Sequence, residues 1–217
     1  MSTKAKIING KRLAAQVREE LSAKVADCAK TPVLAVVLIG NNEASRIYVR
    51  NKQKAAQEVG IKCDIHELPA DVTQAQLQQF IENLNHNPEI NGIIIQQPLP
   101  QHLEVLPLLQ LIEPKKDVDG FGPINLGLLV LRSSQAVIAA TPKGILRMLN
   151  STGVNLQGKH VVIIGRSNIV GKPLAQLLLN QDCTVTVTHS KTQNLPQITA
   201  TADIVIAACG CPKMVEA

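Results

Sequence analysis

Aromatic side chains are nearly missing from this 217-residue chain: Phe80, Phe121 and Tyr48 stand without a single tryptophan. Platforms on which bases stack are therefore absent. The net charge of +5 is spread along the sequence, with no Lys/Arg block. Both facts argue against nucleic acid as a partner, whereas small anionic ligands suit the charge. Cysteine is sparse and unpatterned. Cys28, Cys63, Cys183, Cys209 and Cys211 are odd in number, include no Cys-x-x-Cys pair and follow no signal peptide. They read as reduced, mostly buried thiols of a cytoplasmic protein. Cys209-Gly-Cys211 is too tight for a usual zinc knuckle and has no nearby histidine, so no metal is expected. No apolar run approaches the length of a membrane span, so no membrane partner is expected either.

What is present is aliphatic. Apolar residues make up 45% of the chain, and a chain this long buries roughly 70% of its unfolded surface. Helix and strand patterns alternate. Residues 11–29 set Leu13, Val17, Leu21, Val25 and Cys28 on one helical face. Residues 33–39 form an unbroken apolar run, as in a strand buried on both faces. A helix over 44–59, a strand over 61–67, a helix opened by the capping box Thr73-x-x-Gln76, a strand over 92–95 and a helix over 103–112 follow. A charged, glycine-containing segment comes next, over 113–127. Thr141-Pro142 predicts a helix start with Thr as N-cap and Pro at the first helical position, running to about residue 150. Beyond it the pattern is strand 160–164, helix 173–180, strand 184–188, helix 194–201, strand 204–208, the βαβαβ of one mononucleotide-binding half. The expected fold is α/β in two domains, 1–139 and 140–217, hinged near residue 140.

The turn Gly165-Arg166-Ser167-Asn168-Ile169-Val170-Gly171-Lys172-Pro173 follows the apolar strand and enters a helix. Backbone N–H groups at such a place can face a phosphate. Gly165 allows the tight turn and Gly171 close packing of helix on backbone, while Ser167 replaces the middle glycine of the usual dinucleotide fingerprint. An NAD-binding site usually has an acid at the end of the next strand, for the ribose 2′-hydroxyl. Here that end reads His189-Ser190-Lys191-Thr192 and carries none. Ser190, Lys191 and Arg166 would instead accept a 2′-phosphate, so NADP is favoured over NAD.

In the first half, Ser45, Tyr48 and Lys52 are spaced three and four apart on one helical face. Taken alone, this is either an ordinary surface pair of Tyr and Lys or part of a site. Gln96 and Gln97 follow the strand 92–95, and Asp117-Val118-Asp119-Gly120 follows the next helix. Carboxyl ends of strands are where open α/β sheets bind ligands.

Four motifs in order, Asn42-Glu43-Ala44-Ser45-x-x-Tyr48-Val49-x-x-Lys52, Gly92-Ile93-Ile94-Ile95-Gln96-Gln97-Pro98-Leu99-Pro100, Pro114-Lys115-Lys116-Asp117-Val118-Asp119-Gly120 and Gly165-Arg166-Ser167-x-Ile169-Val170-Gly171-x-Pro173, resemble the bifunctional methylenetetrahydrofolate dehydrogenase/methenyltetrahydrofolate cyclohydrolase family over essentially the whole chain. The resemblance implies an N-terminal α/β folate-binding catalytic domain and a C-terminal Rossmann-type NADP-binding domain. It implies NADP-dependent oxidation of 5,10-methylenetetrahydrofolate and hydrolysis of the methenyl product to 10-formyltetrahydrofolate. On this resemblance Lys52 is the central catalytic residue, Gln96 hydrogen-bonds and fixes it, and Tyr48 packs against and orients the folate. Ser45 and Asp119 join Tyr48 and Gln96 in binding substrate, Asp119 accepting from the amidine-like pterin edge. Gly165, Arg166, Ser167, Gly171 and Ser190 bind the cofactor. Tetrahydrofolate one-carbon derivatives are the implied small-molecule partners, and a homodimer the implied assembly.

Two features depart from the family. Ala139-Ala140 stand where Pro-Cys usually precedes Thr-Pro-x-Gly. Family members also continue for several tens of residues past the position of Ala217, which leaves the Rossmann-type domain incomplete and leads to an expectation of weak folate and NADP binding and poor turnover. A shikimate dehydrogenase-like NADP enzyme and a truncated, non-catalytic folate/NADP-binding protein are the competing readings. The Gln-x-Pro-Leu-Pro and Asp-Val-Asp-Gly motifs argue against the first, the retained Tyr48, Lys52, Gln96 and Asp119 against the second.

Overall fold

A computed structural model describes residues 5–215. In chain order the elements are α1 (Gly10–Ala26), β1 (Val33–Ile39), α2 (Glu43–Glu58), β2 (Lys62–Leu68), α3 (Gln74–His86), β3 (Gly92–Ile95), α4 (Val105–Leu111), α5 (Pro123–Val130), α6 (Ala140–Ser151), β4 (His160–Ile164), α7 (Gly171–Leu179), β5 (Thr184–Thr188), α8 (Leu195–Ala200) and β6 (Ile204–Ala207). They form two compact units, one over Asn9–Ile124 and one from Asn125 onward that also takes in residues 5–8.

The first unit is a parallel sheet of order β2-β1-β3. Its central strand is apolar on both faces because both faces are covered. Ala35, Val37 and Ile39 pack towards α3 and α4 with Leu77, Ile81 and Leu108. Val36 and Leu38 pack towards α2 with Val49 and Ala56. The expected capping box is complete: Thr73 Oγ1 accepts the Gln76 N–H, and the Gln76 side chain accepts the Thr73 N–H. The second unit is a parallel sheet of order β5-β4-β6, the βαβαβ arrangement expected. Val161, Ile163, Leu174 and Leu178 form its core.

At the amino ends of these strands Asp203 ties β6 to β4. Its Oδ2 accepts the His160 N–H at 2.9 Å and its Oδ1 the Lys159 ammonium at 3.1 Å. Those two hydrogen bonds hold its carboxyl below the ordinary carboxylate range. The His160 ring reaches the Thr201 carbonyl and the Thr186 hydroxyl.

Three expectations need correction. The helix after residue 139 begins at Ala140, with Ala139 rather than Thr141 as its cap; proline lacks an N–H and fits throughout the first turn, so Pro142 marks that turn and not its first residue. Helix α5 lies partly in the segment left unassigned, and it fastens to the second unit. Leu129 O accepts Asn180 Nδ2 at 2.8 Å, and Asn125 Oδ1 accepts the Val137 N–H at 3.1 Å. The two compact units divide at 124/125. Finally, the thiols are not mostly buried. Only Cys63 and Cys183 are, while Cys28, beyond the end of α1, and Cys211, beyond β6, are exposed.

Candidate functional site

The first site begins at Asn42, whose side chain accepts the Ser45 N–H at 2.9 Å and opens α2. Ser45, Val49 and Ala56 are buried along that helix, and Lys52 shares their stripe by its spacing. Tyr48 lies on the rim, about 60° round from Ser45 at 3.6 residues per turn, and is 63% exposed. The shared face inferred from spacing therefore has depth: Ser45 at the bottom, Lys52 reaching out of the stripe, Tyr48 open to solvent. Ser45 Oγ is buried and lacks a hydrogen-bond partner.

Lys52 Nζ donates to Gln96 Oε1 at 3.1 Å, just past the carboxyl end of β3. Gln96 is itself oriented. Its Nε2 donates to the Gln97 carbonyl at 2.6 Å, and its backbone N–H to Val37. The Gln97–Pro98 peptide bond is cis.

Asp119 reaches the same end by a route that sequence reasoning missed. Asp117 bridges to Ile93 in parallel, so the chain around it extends the sheet beyond β3. Asp117 is buried, its Oδ1 accepting the Gly120 N–H at 3.0 Å and its Oδ2 the Gly122 N–H at 2.8 Å. Burial pushes the Asp119 carboxyl above its ordinary value; the Lys52 ammonium opposes that rise and the Asp117 carboxylate adds to it. Lys52, Gln96 and Asp119 thus share one electrostatic neighbourhood, in which a cation, an amide and a half-buried acid can move a proton and hold a polar heterocycle.

The Asp119 shift sets a testable balance. A folded-state value above the unfolded one means stability that is present at acid pH and lost as pH rises from the ordinary carboxylate value through the raised one. Asp119→Asn should raise the neutral-pH melting temperature, by roughly 2–4 °C for each kcal/mol relieved in a chain of this size, and flatten its fall between acid and neutral pH. Thermal unfolding at both pH values checks this, and an unchanged profile would remove the burial argument.

In the second unit Gly165 has φ +126° and a Cβ there would strike the Ala208 backbone; a Cβ on Gly171 would strike the backbone of Gly165. These two glycines let the turn pack closely on its own backbone and on that of Ala208. Ser167 orders the turn from within, its Oγ accepting the N–H groups of Val170 at 3.1 Å and Gly171 at 3.3 Å. These two N–H groups of the turn are thus engaged by the protein itself. Arg166 and Ser190 are exposed. Ser190 sits in a turn held by the His189 N–H to Thr192 Oγ1 at 2.9 Å and the Thr192 N–H to the His189 carbonyl at 2.8 Å. A tight glycine turn, an exposed guanidinium and an acid-free strand end fit a phosphorylated dinucleotide. Among the described residues no group of three or more His, Cys, Asp or Glu is placed to hold a metal ion, and no helix is long and apolar enough to cross a membrane.

A βαβαβ unit whose first turn is closed by two glycines, in one chain with an α/β unit that gathers lysine, glutamine and aspartate at its strand ends, defines a two-domain dinucleotide-binding protein. The family model for the tetrahydrofolate dehydrogenase/cyclohydrolase catalytic domain matches residues 8–119, and that for the family's NAD(P)-binding domain residues 139–217. The chain belongs to this family. It is 47% identical to the bifunctional protein FolD of Listeria innocua over 97% of this chain and 75% of the relative. The solved structure of the bifunctional FolD dehydrogenase/cyclohydrolase from Campylobacter jejuni is 42% identical, with a TM-score of 0.95 over 97% of this chain and 76% of that one. The FolD of Trypanosoma brucei, solved with NADP and an inhibitor, is 37% identical with a TM-score of 0.91, over 96% and 73%.

Proposed function

We propose that this protein oxidises 5,10-methylenetetrahydrofolate with NADP and hydrolyses the resulting 5,10-methenyltetrahydrofolate to 10-formyltetrahydrofolate. The observation that carries the reading is the Lys52 Nζ–Gln96 Oε1 hydrogen bond at the sheet's carboxyl end, beside the half-buried Asp119. Hydrolysis adds water to the methenyl carbon, and a proton must leave before the tetrahedral adduct opens to the formyl product. Lys52 moves that proton, and Gln96 keeps its Nζ from wandering. Asp119 accepts hydrogen bonds from the pterin edge. Tyr48, open on the rim, lays its ring along the folate, and Ser45 gives its buried, unpartnered hydroxyl to the same site.

NADP, when bound, takes up the hydride; that step asks the protein for proximity and not for an acid or a base. Arg166 and Ser190 bind the 2′-phosphate, Gly165 and Gly171 let the backbone pass close to the cofactor, and Ser167 keeps the turn in shape. The same reading carries a cytoplasmic homodimer.

Purified protein should deplete methenyltetrahydrofolate absorbance faster than buffer and form NADPH from methylenetetrahydrofolate. A folded protein that does neither would overturn the proposal. Arg166→Ala should raise the KM for NADP about ten- to hundredfold, the range for loss of one charged hydrogen-bonding partner, and change the KM for NAD far less. Equal effects on both would remove the 2′-phosphate assignment.

A further inference from the structure

Lys116 makes an unusual set of contacts for a lysine in a charged segment. Its Nζ donates to the carbonyls of Leu84 at 3.2 Å, Asn85 at 2.6 Å and Asn87 at 2.8 Å. All three lie at the end of α3, where carbonyls have no partner within the helix and the dipole favours a cation. An ammonium has three protons, and here each has an acceptor. The Lys116 backbone is fixed as well, its carbonyl accepting the Ile93 N–H at 2.7 Å. One residue therefore joins the end of α3, the edge strand β3 and the segment that carries Asp119.

The contacts around it are close. A Cβ on Gly92 would meet Val118 Cγ1 at 2.6 Å, and one on Gly122 would meet Asp117 Oδ2 at 2.8 Å. Asp117 fastens the chain after Asp119 through Gly120 and Gly122. Asp119 thus stands between two anchors, Lys116 before it and the Asp117 loop after it. The Lys116 ammonium is spent on α3, so it acts on the site through the position it gives Asp119.

We propose that Lys116 is a positioning residue that holds Asp119 in register with Lys52 and Gln96 by locking the Asp119 segment to the end of α3. The inference rests on the folate-site reading above. Removing the lock lets the segment slide along β3, and displacements of about 1 Å cost on the order of a hundredfold in well-aligned sites. The expected loss is in folate affinity, with the dinucleotide site untouched.

The test is a double-mutant cycle in the full chain, with tetrahydrofolate and NADP binding measured by calorimetry. Lys116→Met should weaken tetrahydrofolate binding about tenfold or more in the Asp119 background and less than twofold in the Asp119→Asn background, because groups acting through one another are not additive. NADP affinity should stay within twofold. Lys116→Arg, which keeps several donors, should recover most of the loss. Should Lys116→Met fail to fold, Lys116→Gln, which shortens the side chain and removes the ammonium, takes its place in the same cycle. Equal losses in both backgrounds, parallel losses for tetrahydrofolate and NADP, or no loss at all would overturn the positioning role. Failure of the unsubstituted protein to bind tetrahydrofolate would instead overturn the folate-site reading.

Discussion

Lys52→Met should lower methenyltetrahydrofolate hydrolysis about 10²–10⁴-fold, the usual range for a positioned proton-transfer group, while reducing the hydride step much less. Methionine keeps most of the lysine's length and its apolar stem but cannot donate to Gln96 Oε1, which loses the 3.1 Å bond seen here. The informative quantity is the ratio of the two activities, because misfolding or loss of substrate binding would lower both together. One side effect has a known sign. The Lys52 ammonium restrains the rise of Asp119, so its removal pushes that carboxyl further up. Folate binding is therefore compared in both proteins at the pH of the activity assay. Unimpaired hydrolysis with normal binding there would show that Lys52 is not the proton carrier.

Gly171→Ala should both destabilise the second unit and abolish NADP binding at micromolar concentrations. Gly171 is the first residue of α7, so the preference of about 1 kcal/mol for alanine in helix interiors has little weight there. Packing decides. The added methyl would sit 2.9 Å from Arg166 Cα and 2.7 Å from the Gly165 carbonyl carbon, besides striking the Gly165 oxygen. These are backbone atoms of a turn that cannot give, and forced overpacking of this kind costs about 1–3 kcal/mol or more. Gly144→Ala in α6 is the matched control: no atom lies within 4 Å of its Cβ position, so propensity alone should act and raise stability by roughly 0.5–1 kcal/mol. Urea unfolding of both variants with NADP titration checks the pair. A stabilised, NADP-binding Gly171→Ala protein would remove the close-approach argument.

Much of this fold was legible because the central strands β1 and β4 are buried on both faces. The run Val33–Ile39 and the run His160–Ile164 have the bounds read from sequence, since a short apolar stretch that stops at a glycine (Gly40, Gly165) admits little else. Thr73 and Gln76 fixed a helix start because capping is a local interaction. The sequence did not reveal what distant segments decide. Lys115 and Lys116 are adjacent and alike, and only the pairing of Asp117 with Ile93 makes the second of them a tether. Tyr48 and Lys52 share a spacing, but their different depths depend on where the sheet lies beneath α2. Ser167 was read as a cofactor contact; its hydroxyl also caps its own turn, which no residue spacing announces. Helix α5 escaped notice because Gly127 and the charged approach mask its short apolar pattern.

Both sheets are wholly parallel, so all strands of a unit point the same way and each unit has one chemical end and one structural end. The Asp203 knot, with Lys159 and His160, belongs to the structural end of the second unit. Its carboxylate contributes stability at neutral pH that is lost as pH falls through its lowered value. Damage there would shorten the lifetime of the fold and leave the intrinsic rate of the surviving molecules alone. A screen that scores activity in crude extracts would count such variants as inactive, and a screen that normalises to folded protein would count them as silent. Sorting variants by sheet end before choosing the assay separates the two groups.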